Sequence, residues 1–197
     1  GTSYTLTQDD VGAVITAKQS YTDGFGNKHI VTSAATSSIS NINDAPTGVV
    51  TISGTATEDQ TLTLNSSVAD ADGIDADTVS YQWHRDGSAI SGATSSTYVL
   101  TQDDVGENIS ASVSYTDGYD TEETVTSAAT SAIVNVNDDP TGSVTISGTA
   151  TEDQTLTLNS SVADEDGIDA DSVSYQWYRD GPTISNITGI SYTPTQD

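Results

Sequence analysis

Val50-Thr-Ile-Ser-Gly-Thr-Ala-Thr-Glu58-Asp59-Gln-Thr-Leu62-Thr-Leu64-Asn-Ser-Ser-Val-Ala-Asp70 recurs without a change from Val144 to Asp164. The same offset of 94 residues carries Gln8-Asp9 to Gln102-Asp103 and on to Gln196-Asp197. It also carries Tyr21-Thr-Asp23-Gly24 to Tyr115-Thr-Asp117-Gly118. A fixed period means one folding unit laid down in tandem. Leu62 and Leu64 alternate with threonines, which gives an extended strand one apolar and one polar face. The unit is therefore built of strands, and about 94 residues suits one β-sandwich.

Two acidic stretches punctuate the period: Asn41-Ile-Asn43-Asp44-Ala-Pro46 and Asn135-Val-Asn137-Asp138-Asp139-Pro140. Each follows a strand-like run, and its proline forces an extended start to what comes next. With the prolines as domain starts, residues 1–44 are the C-terminal half of one repeat, 45–138 a complete repeat and 139–197 the N-terminal part of a third. The complete repeat predicts seven strands and no helix. They lie at Val50–Ile52, around Leu62 and Leu64, over Val79, Tyr81 and Trp83, near Ile90, at Tyr98–Leu100, over Ile109, Ala111, Val113 and Tyr115, and as one long final strand from Val125 to Val136. Gly, Asp and Asn gather between these runs, as turns require.

The 197 residues carry 29 acidic against 4 basic side chains, a formal charge of -25. Nucleic acid is a poor partner for such a chain, because phosphate contacts need cations. Anionic membrane surfaces repel it, and no apolar run is long enough to span a bilayer. With no cysteine there is neither disulfide nor thiolate chemistry, so a small extracellular domain needs another staple. No signal peptide is visible at Gly1, and the sequence begins in mid-pattern, as an excerpt of a longer chain would.

Ser80-Tyr-Gln-Trp83-His-Arg-Asp86-Gly and its copy Ser174-Tyr-Gln-Trp177-Tyr-Arg-Asp180-Gly resemble the tryptophan-bearing strand of immunoglobulin-like domains. The antibody cysteine pair is absent, with Leu64 and Ala111 at that layer. The junction resembles the Asp-x-Asn-Asp-x-Pro linker of cadherins, with Asn135 in place of the first Asp. Taken whole, the chain resembles the tandem immunoglobulin-like or cadherin-like Greek-key β-sandwich repeats of giant bacterial surface adhesins, many of the calcium-dependent RTX type.

That topology and resemblance imply calcium at the junctions. At the second junction the upstream loops offer Glu58, Asp59, Asp103 and Asp104, the linker Asn135, Asn137, Asp138 and Asp139, and the downstream loop Asp164 and Asp166. At the first, the set is Asp9, Asp10, Asn41, Asn43 and Asp44, with Asp70 and Asp72 from the following domain. Calcium takes six to eight such oxygens. The bland alternative is that these acids solvate the surface and form Asx-turns. Asp70–Asp77 is not an EF-hand, since Tyr81 stands where the bidentate glutamate belongs; Asp75 and Asp77 are more simply turn residues.

Catalysis finds little support. His29 and His84 are replaced one period on by Glu123 and Tyr178, so no repeated site uses them, and exposed strand positions explain both. The parity of Trp83 and Trp177 makes them core residues rather than sugar platforms. The expected function is a non-enzymatic extender segment of an extracellular, cell-surface bacterial adhesin, its partners being neighbouring repeats. Two alternatives stand beside it. One is a carbohydrate- or protein-binding module using Tyr21, Phe25 and Tyr119. The other is a filament-forming subunit in which half-domains of two molecules complete each other head to tail.

Overall fold

A computed structural model describes residues 1–195. Gln196 and Asp197, the end of the expected third segment, lie outside the described residues. The chain divides into two compact units, Gly1–Val134 and Asn135–Asp197.

The first unit opens with β1 (Lys18–Thr22) and β2 (Lys28–Thr32), an antiparallel pair exposed along its whole length. Then follow β3 (Val50–Ser53), β4 (Thr61–Ser66), β5 (Ser80–Arg85), β6 (Ser88–Ala89), β7 (Thr97–Val99), β8 (Ile109–Thr116) and β9 (Glu122–Thr126). These seven form two sheets, of order β3-β4-β7 and β6-β5-β8-β9, with every pairing antiparallel. The architecture is all-β and consistent with a β-sandwich. Short 3₁₀ turns stand at Gln8–Asp10, Gln102–Asp104 and Ala170–Ser172.

The period-two faces of both sheets meet in one core. Val50, Leu62 and Leu64 come from one sheet, and Trp83, Ile109, Ala111 and Val113 from the other; Leu100 and Ile133 close it. Trp83 has no exposed surface, and its indole N–H donates to the Ser95 carbonyl at 2.8 Å. A buried indole needs that acceptor. Gly48 has φ +82 and an added Cβ would collide with the Ser67 carbonyl oxygen, so the turn into β3 requires glycine; Gly142 repeats this against Ser161.

The long final strand does not form. Regular pairing with β8 ends at Thr126. Beyond it, the Ser127 and Thr130 hydroxyls accept from the backbone N–H groups of Ala111 and Ile109, each at 3.0 Å. These hydroxyls compete with main-chain partners for the ladder positions. The chain then bridges in parallel to Val105 at Ile133 and to Thr57 at Val134.

The second unit holds β10 (Val144–Ser147), β11 (Leu156–Ser160) and β12 (Ser191–Tyr192), an antiparallel sheet in that order. Ser174–Arg179 differs from β5 only at Tyr178, yet it is not a strand. Trp177 still donates to the Gly189 carbonyl at 2.9 Å and is 5 % exposed. Among the described residues, no helix is long and apolar enough to cross a membrane.

Candidate metal centre

Three loops of the first unit meet around Asp72, a buried carboxylate. The linker reaches it through the Asp44 N–H, which donates to Oδ2 at 2.7 Å, and the Gln8 amide donates to Oδ1 at 2.9 Å. Gly118 in the β8–β9 turn donates its N–H to the Asp72 carbonyl at 3.2 Å. Asp70 accepts the Asp72 N–H on one oxygen and the Tyr115 hydroxyl on the other, the latter at 2.6 Å. Burial first, then this hydrogen bond, pushes the Tyr115 phenol well above its ordinary pKa. Asn43 donates to the Glu123 carboxylate at 2.9 Å.

Two oxygens at this end of the fold lack donors. Asn41 Oδ1 and Asp117 Oδ2 are buried without a hydrogen-bond partner. Asp117 is 2 % exposed, and its other oxygen takes the N–H groups of Tyr119 and Thr121, both at 2.8 Å. The Thr121 N–H does most to hold its carboxyl below the ordinary value, against the opposing effect of burial. A buried carboxylate oxygen with no donor is costly. The repeat supplies a comparison in Asp23, the counterpart of Asp117. There Oδ1 likewise accepts the backbone N–H groups of Phe25 and Asn27, while Oδ2 lies 3.1 Å from both His29 Nε2 and Asn27 Nδ2. The backbone N–H of Asn27, then the His29 ring, bring the Asp23 pKa down to about 2. At Asp23 the position thus has polar partners on both oxygens, where Asp117 has them on one.

Asp117 and Glu123 are missing from the sequence-predicted set. Asp117 had a signal, because Tyr-Thr-Asp-Gly recurs at the period, but a turn residue explains an aspartate before glycine equally well. Of the predicted set here, Asp44, Asp70 and Asp72 join the network, as does Asn43 through Glu123. Asp9 is exposed, and Asp10 is engaged by the Tyr4 hydroxyl at 2.8 Å and the Thr7 N–H at 2.9 Å. Asp75 accepts the Asp77 N–H as an Asx-turn.

At the other end of the complete repeat, neighbouring acids have opposite fates. Asp103 and Asp59 are exposed, the latter at φ 62. Asp104 is fully buried: Arg85 donates to Oδ1 at 2.8 Å, and the Tyr98 hydroxyl and Thr101 N–H to Oδ2, both at 2.9 Å. Its oxygens are thus occupied by Arg85 and the turn. Glu58 is 2 % exposed; the Gln102 amide nitrogen, turned towards it, stands 2.8 and 3.2 Å from its two oxygens.

Within the second unit, Asp166 repeats the grip of Asp72. Its Oδ2 accepts the Asp138 N–H at 2.9 Å and its Oδ1 the Asn135 amide at 2.6 Å. Asp164 accepts the Asp166 N–H at 3.0 Å, and Asn137 donates to the Asp138 carbonyl at 2.9 Å. Asp139 is exposed. Among the described residues, no three carboxylate or imidazole groups form a ready-made metal cluster, so an ion here would have to draw on amide and main-chain oxygens as well.

His84, expected on an exposed strand position, is half-buried with its Nδ1 shielded and unpartnered. Phe25 is 95 % exposed at the β1–β2 tip. In comparisons with known proteins, no family model and no curated protein sequence matches the chain.

Proposed function

We propose that this chain is a segment of an extracellular stalk of tandem immunoglobulin-like β-sandwiches, stiffened by calcium at the loops around each linker, as in bacterial surface adhesins. The observation that carries the reading is the buried, donorless Oδ2 of Asp117, in a turn bonded to the Asp72 loop that also grips the linker at Asp44. Asp117 and Asn41 would hold the ion through their open oxygens, main-chain and water oxygens would complete its shell, and the carboxylates of Asp70 and Asp72 would add negative charge from the same network of loops. Bound calcium supplies positive charge and six to eight coordination positions to oxygens that otherwise repel one another. The residues themselves orient the cradle: Tyr115 and the Asx-turn fix Asp70, while Gly118 and Asp44 tie turn and linker to Asp72. Extracellular modules bind calcium at roughly 10⁻⁴–10⁻³ M, the range such a stalk would meet.

Near-identical repeats favour reach over recognition of a single ligand. The exposed Phe25 favours the second reading, a binding tip, but its counterpart is Tyr119 and the surrounding turn differs, so the feature belongs to one copy. Isothermal titration with calcium tests the main proposal. The chain should take up calcium at sub-millimolar to millimolar concentration, and Asp117→Asn should weaken uptake at the first junction by at least about tenfold, having removed a ligand charge. Unchanged uptake in that variant, or none in the parent, would remove the calcium reading. Retention of the chain on a glycan surface, lost in Phe25→Ala, would put the binding module in its place.

A further inference from the structure

The repeats differ in charge in one direction only. Across residues 1–44 and their counterparts 95–138, charge changes at five positions: Ala13, Lys18, Gly26, Lys28 and His29 in the first copy become Glu107, Ser112, Asp120, Glu122 and Glu123 in the second. Three of the five changes fall on one element, β9 and the turn leading into it, whose counterpart is β2 and its turn. β9 is the edge strand of its sheet, bonded to β8 on one side and, among the described residues, to no strand on the other. That free edge belongs to the complete repeat, and the counterpart position gives β2 the same edge, whichever neighbours the rest of the chain supplies. Glu122 lies across from Thr116, on the face of β8–β9 turned away from the core residues Val113 and Tyr115, and Lys28 holds the same place across from Thr22. Both are exposed and, among the described residues, neither is in an ion pair. Their neighbours His29 and Glu123 are already engaged, by Asp23 and Asn43.

We propose that the β9 edge of one molecule pairs with the β2 edge of a second copy of this chain. An exposed strand edge is a template for another chain, and the charges along it decide which edges it accepts. In parallel register, two β9 edges would set Glu122 against Glu122 and two β2 edges Lys28 against Lys28, and like charges on neighbouring strands destabilise a pair. The mixed pair joins opposite charges instead. Parallel strands in register bring Lys28 beside Glu122, Ile30 beside Thr124 and Thr32 beside Thr126, all on the outward face. Ile30 is 69 % exposed in the single molecule, and Thr124 of the second copy covers part of it. An antiparallel pair with the same overlap sets Lys28 beside Thr126 and leaves the opposite charges at opposite ends, so the charges select the parallel one. The pairing spans five residues of each strand, and each molecule carries a formal charge of -25. It is accordingly weak, and needs that overall repulsion screened by salt. Each contact joins unlike surfaces of two molecules, so it extends into a row rather than closing in a pair.

Sedimentation velocity of the 197-residue chain tests this, from low micromolar to millimolar protein in about 0.15 M sodium chloride, with two charge reversals, Lys28→Glu and Glu122→Lys. The parent should pass from monomer to a series of oligomers, in chelator as in calcium. Each variant alone has like charges on its two edges, and should need about tenfold higher concentration to associate. Mixed in equal amounts, the two variants should associate as the parent does, since each then offers the charge the other lacks. Both positions are exposed, so the fold is expected intact, and thermal midpoints equal to the parent's verify it. A monomer at every concentration overturns the proposal. So does an oligomer series that both reversals leave unmoved, or a mixture no more associated than its components. Association that appears only with calcium would place the contact on the acidic loops and overturn it equally.

Discussion

At the scale of single residues, the complete repeat depends on one buried carboxylate that its partial copy leaves half-exposed. Asp104 has lost all contact with water, and its partner Arg85 keeps 29 % of its side chain exposed. Removing one member of such a pair leaves the other uncompensated, so Asp104→Ala should lower unfolding stability by about 3 kcal/mol, the low end of the range because Arg85 can still turn to solvent. Asp10→Ala, its counterpart, should leave the denaturant midpoint of the complete repeat unmoved. A urea titration of both variants checks the contrast. Two phenols give the alkaline limit. Burial, followed by the hydrogen bond to an aspartate, raises Tyr115 and Tyr98 above the ordinary tyrosine value near 10. Above that pH the unfolded chain loses those protons first, so the folded state binds more of them and stability falls with rising pH. Their contribution is fully present below pH about 10 and is lost as pH climbs through the raised values. Tyr115→Phe should flatten part of that decline between pH about 10 and 12 in a midpoint-versus-pH series; an equally steep decline would place the titration elsewhere.

Strands show how much an element owes to its neighbour. Ser80–Arg85 and Ser174–Arg179 share five of six residues, yet of the two only the first is a strand, and it is paired with β8 along its whole length. Their tryptophans are buried alike and their indoles bonded alike, so side-chain packing survives the loss while main-chain pairing does not. Hydrogen exchange should separate them. The Gln82 and His84 amides, on the side of β5 that faces β8, should exchange on the order of 100-fold or more slowly than those of Gln176 and Tyr178 at low protein concentration. Equal protection would mean that pairing with β8 is not what shields the β5 amides. The same contrast marks what the sequence made legible. Period-two alternation located Leu62, Leu64, Trp83, Ile109, Ala111, Val113 and Tyr115, and all seven are buried. It could not foresee that Ser127 and Thr130 would bond β8 through their hydroxyls and end the last strand early, since Val125–Val136 reads as strand by propensity alone. Nor could it separate Asp103 from Asp104, where the turn decides which carboxylate faces Arg85. At the candidate metal centre the acids of the Asp70 loop and the linker were legible by composition and period. Asp117 was not, because its turn-forming role masks an oxygen that the turn leaves without a donor.

For the whole molecule, the question is whether a charge of -25 is relieved by general screening or by ions held at sites. Self-repulsion between exposed carboxylates weakens with any salt, and at about 0.15 M the screening length is already near 8 Å. Adding a millimolar divalent salt to that background hardly alters the length, so screening alone predicts almost no response. A site predicts otherwise. An ion that binds only the folded chain stabilises it by RT ln(1 + [L]/Kd), which at 1 mM calcium and a Kd of 10⁻⁴ M is about 1.4 kcal/mol per site. The expected result, in a buffer of about 0.15 M sodium chloride, is a clear rise in thermal midpoint on adding 1 mM calcium. The same addition of magnesium should do less, because it sheds its waters reluctantly and demands a tighter octahedron than mixed amide and carboxylate loops provide. Scattering on the same samples at low protein concentration should show the largest dimension of the particle increasing with calcium while its mass stays constant. If sodium chloride alone reproduced the rise in midpoint, the acidic loops would be acting as a diffuse surface charge, and the donorless oxygen of Asp117 would need a source of compensation other than a bound ion.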